Sequence, residues 1–242
     1  MSEENLYGRI IESIFLAKYT PGAEEIEFAR SDLVDHAKQL GLPLPKNLGD
    51  LVYSFRYRNP LPKSVRSKAP RGREWIIGSS GRSRYRFRAV EFSEFVPNVQ
   101  LASIKIPDAT PGLVSLYALS DEQALLARIR YNRLIDVFSG VACYSLQSHL
   151  RTTVPGIGQI ETDEIYVGVD GHGVHYVLPV QAKGKKDRVG LVQIEQDVEM
   201  SRHKFPGLVC RPIGAQFLTD HVIALFEFQL TGDGLRIARE KH

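Results

Sequence analysis

Apolar positions recur at helical spacing in three early stretches. In "NLYGRIIESIFLAKY" (5–19), Leu6, Ile10, Ile14 and Leu16 fall near one face and predict an amphipathic helix. "SDLVDHAKQLGL" (31–42) predicts a second, with Ser31 as N-cap and Gly41 as its stop. "KNLGDLVYSFRYR" (46–58) predicts a third, capped by Asn47, with Leu51, Val52 and Phe55 facing a core. The prolines of "PLPKSVRSKAP" (60–70) then interrupt helical continuity. In "EWIIGSSGRSRYRFRAV" (74–90) the period changes to two: Tyr85 and Phe87 alternate with Arg84, Arg86 and Arg88. Two strands around a Gly/Ser turn are expected.

Residues 96–119, with Pro97, Pro107 and Pro111, read as a connector between a body at 1–95 and a second at 120–242. "SDEQALLARIRYNRLIDVFSG" (120–140) predicts one helix capped by Ser120 and ended by Gly140. "GVACYSLQSHLRT" (140–152) is read as further helix. "QIETDEIYVGVD" and "GVHYVLPVQAK" flank the turn "DGHG" (170–173) as a hairpin. Leu191, Ile194 and Val198 predict a helix, and "GLVCRPIGAQFL" and "HVIALFEFQL" two more β-rich runs. Helix, strand, strand, helix, strand, strand makes an α/β (α+β) chain with a mixed sheet.

Composition adds three things. Hydrophobic content of 43% and charged content of 24% are those of an ordinary globular protein, and no apolar run is long enough to span a membrane. The start, "MSEENLYGRI", lacks the pattern of an export signal, so Cys143 and Cys210 are expected as reduced thiols in a cytoplasmic protein. The charge is segregated. Residues 51–88 hold nine Arg and two Lys against Glu74 alone, a balance of +10; a total of +3 leaves −7 for the rest. A basic, aromatic-interleaved segment of this kind suits a polyanion.

Three helices followed by a basic hairpin resemble a winged helix-turn-helix domain over residues 5–95. The resemblance implies duplex DNA as partner, with Arg56 and Arg58 at the end of the third helix approaching a major groove. Arg82, Arg84, Arg86 and Arg88 would form a wing on phosphates or in a minor groove. A small helical domain that binds protein is the alternative.

The second hairpin carries the candidate chemistry. If Asp170 pairs with Val174, paired positions sum to 344, which sets Asp163 opposite Gln181 and Glu161 opposite Lys183 on one face. A bulge in the first strand would instead recruit Glu164 beside Asp163. An acid on one strand and Gln181-Ala182-Lys183 closing the next, with a helix before and after, resembles the PD-(D/E)XK nuclease superfamily over about residues 120–230. Two positions depart from its motif: Thr162 stands where proline is usual, and Gln181 where an acid is usual.

The resemblance implies a Mg²⁺-dependent endonuclease of the type II restriction kind, hydrolysing phosphodiesters in double-stranded DNA, with Mn²⁺ as a substitute ion. Asp163 is the first metal ligand, Glu161 or Glu164 the second. Gln181 offers an amide oxygen, and the carbonyl of Ala182 completes the shell. Lys183 orients water or stabilises transition-state charge. Lys185 contacts the DNA backbone, and Gln193 is a candidate for holding water or capping its helix. A homodimer suits the cutting of two antiparallel strands. The alternatives are a DNA-binding transcriptional regulator with an inactive nuclease-like domain, and a structure-selective nuclease acting on junctions.

Overall fold

The structure, a computed structural model, describes residues 3–44, 47–118, 120–232 and 234–242. Contacts divide the chain into two units, Met1–Ser93 with Pro155–Gly158, and Glu94–Val154 with Gln159–His242. The segment read as a connector belongs by its contacts to the second.

In the first unit α1 (Glu3–Lys18) buries Ile10, Ile11, Ile14 and Phe15 completely. Leu16, expected in that stripe, is 46% exposed. Six residues past Ile10 it has turned roughly 120° off the stripe, and Phe15 takes its place. Phe15 packs edge-on to Trp75 and Phe87, with ring centroids at 5.2 and 5.0 Å. A short strand that the sequence reading omitted, β1 (Glu25–Ala29), alternates exposed glutamates with buried Ile26 and Phe28. It runs directly into α2 (Arg30–Gln39), so the N-cap is Ala29 and Ser31 lies inside the helix. Asp32 accepts from the Ala29 N–H at 3.0 Å, the bond expected of a cap three residues on. Gly41, at φ +63°, follows the helix end in the left-handed conformation a side chain disfavours.

Asn47 caps α3 (Leu48–Tyr57) by accepting from Gly49 N at 3.0 Å, and Leu51 and Val52 are buried. The proline-rich stretch contains one short turn of helix, α4 (Lys63–Arg66). β2 (Glu74–Ser79) and β3 (Arg84–Val90) form the expected antiparallel hairpin, and β1 adds to β3 to give the order β1-β3-β2.

The second unit begins with β4 (Glu94–Phe95) and α5 (Gly112–Tyr117). Ser120 caps α6 (Asp121–Tyr131) as expected, but the helix does not run on to Gly140. Asn132 stops it: its amide donates to Arg128 O, Asp108 Oδ1 and Thr110 Oγ1, and Arg133 turns left-handed at φ +48° before α7 (Leu134–Ser139). The apolar spacing continues across this break, which hid it. The stretch read as further helix is instead the long strand β5 (Ala142–Val154). Then come β6 (Gly158–Val169), β7 (His175–Lys183), β8 (Val189–Gly190), α8 (Leu191–Lys204), β9 (Val209–Cys210), β10 (Ile213–Thr219), β11 (Val222–Thr231) and β12 (Gly234–Lys241).

The main sheet runs β12-β11-β10-β7-β6-β5, with β9 also on β7 and a separate β4-β8 pair. β6 and β7 are antiparallel, and α8 carries the chain over to β10, parallel to β7. Leu178, Val180 and Ala182 face α6 and α7, packing with Leu125, Ile129, Ile135 and Phe138. Alternate residues turn to α8 on the other face. The chain is thus an α/β fold with mixed sheets, and among the described residues no helix is long and apolar enough to cross a membrane.

Candidate active site

The expected register of the β6–β7 hairpin holds from Val169–His175 to Glu164–Val180, every pair summing to 344. Past Glu164 the strand leaves simple alternation. Thr162 and Glu164 have the same parity, yet Thr162 Oγ1 donates to Asp197 of α8 at 2.6 Å. Glu164 faces the other way and is gripped by Arg130 of α6 at 2.9–3.0 Å and by Ser145 Oγ at 2.5 Å. The face therefore switches at Asp163, as a bulge would make it.

That switch sorts the candidate residues. Asp163 sits beside the end of β7, where its Oδ2 accepts from the Ala182 N–H at 2.8 Å. Burial raises its carboxyl above the ordinary range, against the opposing pull of that hydrogen bond and of Lys183 and His149. Gln181, fully buried, donates through Nε2 to Asp197 Oδ2 at 3.0 Å and to the Glu161 carbonyl at 3.2 Å. Lys183 is half-buried, and among the described residues its Nζ makes no hydrogen bond or ion pair. Its charge is nevertheless felt by both Asp163 and Asp197.

Two of the expected carboxylates are drawn elsewhere. The Glu161 side chain turns to Arg151 at 3.1 Å and does not pair with Lys183. The completely buried Glu164 belongs to Arg130 and does not join Asp163. Ala182 contributes its N–H to Asp163 while its side chain lies in the α6–α7 core. Lys185 is held by Asp220, and Gln193 caps α8, its Oε1 accepting from Gly190 N at 3.4 Å.

The residue that sequence reasoning missed is Asp197. It is fully buried on α8, and burial, with the Asp163 carboxylate nearby, pushes it up to about 7 despite bonds from Thr162 and Gln181. A signal existed. Asp197 lies three residues after Ile194 and one before Val198, on the apolar side of the helix, where an acid needs a reason. The first turn of α6 also reaches this corner: a Cβ on Gly184 would stand 3.2 Å from Asp121 Cβ and 3.4 Å from Glu122 Oε1.

Two carboxylates, one amide and nearby backbone carbonyls are hard oxygen donors of the number Mg²⁺ needs from a protein. Among the described residues no group of three or more His, Cys, Asp or Glu is placed to hold a metal ion, so a site here would rest on Asp163, Asp197 and Gln181.

In the first unit Arg58 is exposed and lies over Tyr53, 4.9 Å from the ring centre. Arg56 is half-buried over Tyr57 at 5.3 Å. Arg82 and Arg84 are exposed at the hairpin turn, whereas Arg86 pairs with Glu25 at 2.8 Å and Arg88 is half-buried. The acids that temper this surface come from outside the basic stretch. Residues 1–93 as a whole hold sixteen Lys and Arg against eleven Asp and Glu, a balance of +5.

No protein-family model, curated protein or solved structure matches the chain.

Proposed function

We propose that the chain is a Mg²⁺-dependent DNA endonuclease of the PD-(D/E)XK kind. In this reading the acid absent from position 181 is supplied by Asp197 of α8. The carrying observation is the convergence of Asp163, Gln181, Asp197 and Lys183 around the end of β7, with Gln181 bonded to the very carboxylate that stands in for its own. An acid on β6, Gln-Ala-Lys closing β7, and helices before and after agree with the resemblance read in the sequence. Helices α1, α2 and α3, then the short α4 and a hairpin with exposed arginines at its turn, support a winged helix as the DNA-binding part.

The chemistry follows from the side chains. Water attacks phosphorus, a new P–O bond forms, the bond to the leaving alkoxide breaks, and that alkoxide takes up a proton as a hydroxyl. Lys183, with no competing partner, meets the negative charge that grows on the phosphoryl oxygens. The proton released by the attacking water passes to solvent, since Asp163 is committed to the ion. Asp163, Asp197 and the Gln181 amide oxygen would hold the ion. When bound, the ion supplies a water of lowered pKa and a Lewis acid at the phosphate. Thr162 fixes the Asp197 carboxylate from the opposite side.

One observation favours the second reading, a DNA-binding regulator with a silent nuclease-like domain. Both oxygens of Asp197 and one of Asp163 are already engaged by Thr162, Gln181 and Ala182. Incubating supercoiled plasmid with the protein in Mg²⁺, in Mn²⁺ and in chelator separates the two. Cleavage that needs the ion and disappears in Lys183→Ala is expected; DNA binding without ion-dependent cleavage means the regulator.

A further inference from the structure

Beside Lys183, on the neighbouring strand, stands Gln216 of β10. The parallel ladder sets the two Cα atoms opposite each other, two register pairs beyond Gly214–Gln181. Directly opposed residues share a face, so Gln216 lies on the α8 side with Gln181 and Lys183. The residue opposite it on β11 is Ala224, which cannot bond to it. Gln216 is completely buried, and among the described residues neither Nε2 nor Oε1 has a hydrogen-bond partner. Leaving a buried amide unpaired is costly, so an apolar side chain of like size would be the better choice if nothing engaged it. A side chain with an unused acceptor thus stands in register beside a lysine with unused donors.

We infer that Gln216 is a positioning residue for Lys183, its Oε1 accepting from one buried water that in turn accepts from the Nζ–H group, and so aiming the ammonium at the phosphate. Lysine ends in a compact charge on a flexible stem with many rotamers. A group whose value lies in meeting charge at one point gains from a second anchor. Gln181 cannot supply it, since its N–H groups are donors that serve Asp197 and the Glu161 carbonyl, and the nuclease reading commits its oxygen to the ion. Gln216 acts through Lys183 and touches neither phosphate nor ion. The inference rests on the nuclease reading for its catalytic consequence, while the pairing itself does not.

The test uses the full chain and the isosteric variant Gln216→Met, with two readouts. Single-turnover cleavage in Mg²⁺ is expected to slow about tenfold, the loss of one orienting hydrogen bond, with DNA affinity in chelator and melting temperature nearly unchanged. Gln216→Glu, which keeps the acceptor, is expected to retain more of the rate than Gln216→Met. In the ¹⁵N spectrum of the wild type, the Lys183 ammonium should exchange with water more slowly than that of exposed Lys186, and this protection should vanish in Gln216→Met. A Lys183 ammonium that exchanges as fast as that of Lys186 in the wild type overturns the pairing, even should the variant fail to fold. Wild-type cleavage in folded Gln216→Met overturns the positioning role. Should the wild type not cleave at all, the nuclease reading falls, and the ammonium signal still decides the pairing.

Discussion

The second unit contains two sets of buried or half-buried charges that share a sheet and differ in everything else. On β11, Glu227 is clamped by Arg211 (Nε at 2.5 Å, Nη2 at 3.0 Å) and by Arg239. Burial works to raise its carboxyl, yet the two guanidinium groups outweigh burial and hold it below the ordinary range. Around the end of β7, Asp163 and Asp197 have hydrogen bonds but, among the described residues, no paired cation; both are pushed up, and Lys183 stands by without bonding either. Glu164 with Arg130 belongs to the first kind. Matched charges are what a fold needs. Raised acids next to an unpaired lysine are costly to keep, and they are the pattern expected where charge must be met during a reaction.

Breaking each set should therefore have opposite consequences. The largest effect on rate is expected for Lys183→Ala, with single-turnover cleavage slower by ~10²-fold or more while folding and DNA affinity hold. An equal loss of stability with no loss of specific activity would make Lys183 structural. Glu227→Gln should do the reverse. It strips the main partner from Arg211 and Arg239 and should lower unfolding free energy by roughly 2–3 kcal/mol. That lies below the full cost of breaking a buried pair, because Arg239 is about a third exposed. Cleavage per folded molecule should stay near wild type; urea unfolding beside an activity assay reads both.

The pH dependence sharpens the same contrast. Glu227 is depressed in the folded state, so its stabilisation is present above its unfolded pKa and is lost as pH falls through the lower folded value. Asp197 moves the other way. Its folded pKa of about 7 against an ordinary 3.8 means the folded state holds the extra proton between those values. Its effect is thus to make stability fall as pH rises from about 4 to about 7 in metal-free protein, and to level off above. Melting temperature across pH 4–8 in chelator should show that decline; addition of Mg²⁺ at pH 8 should reverse part of it. The smallest expected effect is on binding. Arg82→Ala and Arg84→Ala should each flatten the salt dependence of DNA affinity by about one unit of slope. Arg86→Ala should do less, because Glu25 already occupies that guanidinium.

Most of the architecture was legible where one period ran long enough. The amphipathic helices, the Asn47 and Ser120 caps, both hairpins and the register through Val169–His175 all follow from local spacing. What escaped depended on distant partners. Five residues of β1 make sense only against β3, the break after α6 depends on Asn132 meeting residues 108–110, and β5 has no helical stripe but gains its place beside β6. At the site, Asp163, Gln181 and Lys183 could be gathered from a hairpin register. Asp197 could not, because it lies on a helix, fourteen residues past Lys183, and meets Thr162 and Gln181 only once that helix packs on the sheet. Nor does strand alternation announce the switch of face at Asp163 that sends Glu164 to Arg130.

On the nuclease reading, Asp197 is kept, against stability, as the carboxylate missing from position 181. Asp197→Asn tests it directly, because the amide can still meet Thr162 and Gln181 without the buried charge. Measured together at pH 8, melting temperature in chelator should rise above wild type, and Mg²⁺-dependent cleavage should fall by ~10²-fold or more. A variant that melts lower, or that cleaves DNA at the wild-type rate, contradicts the account.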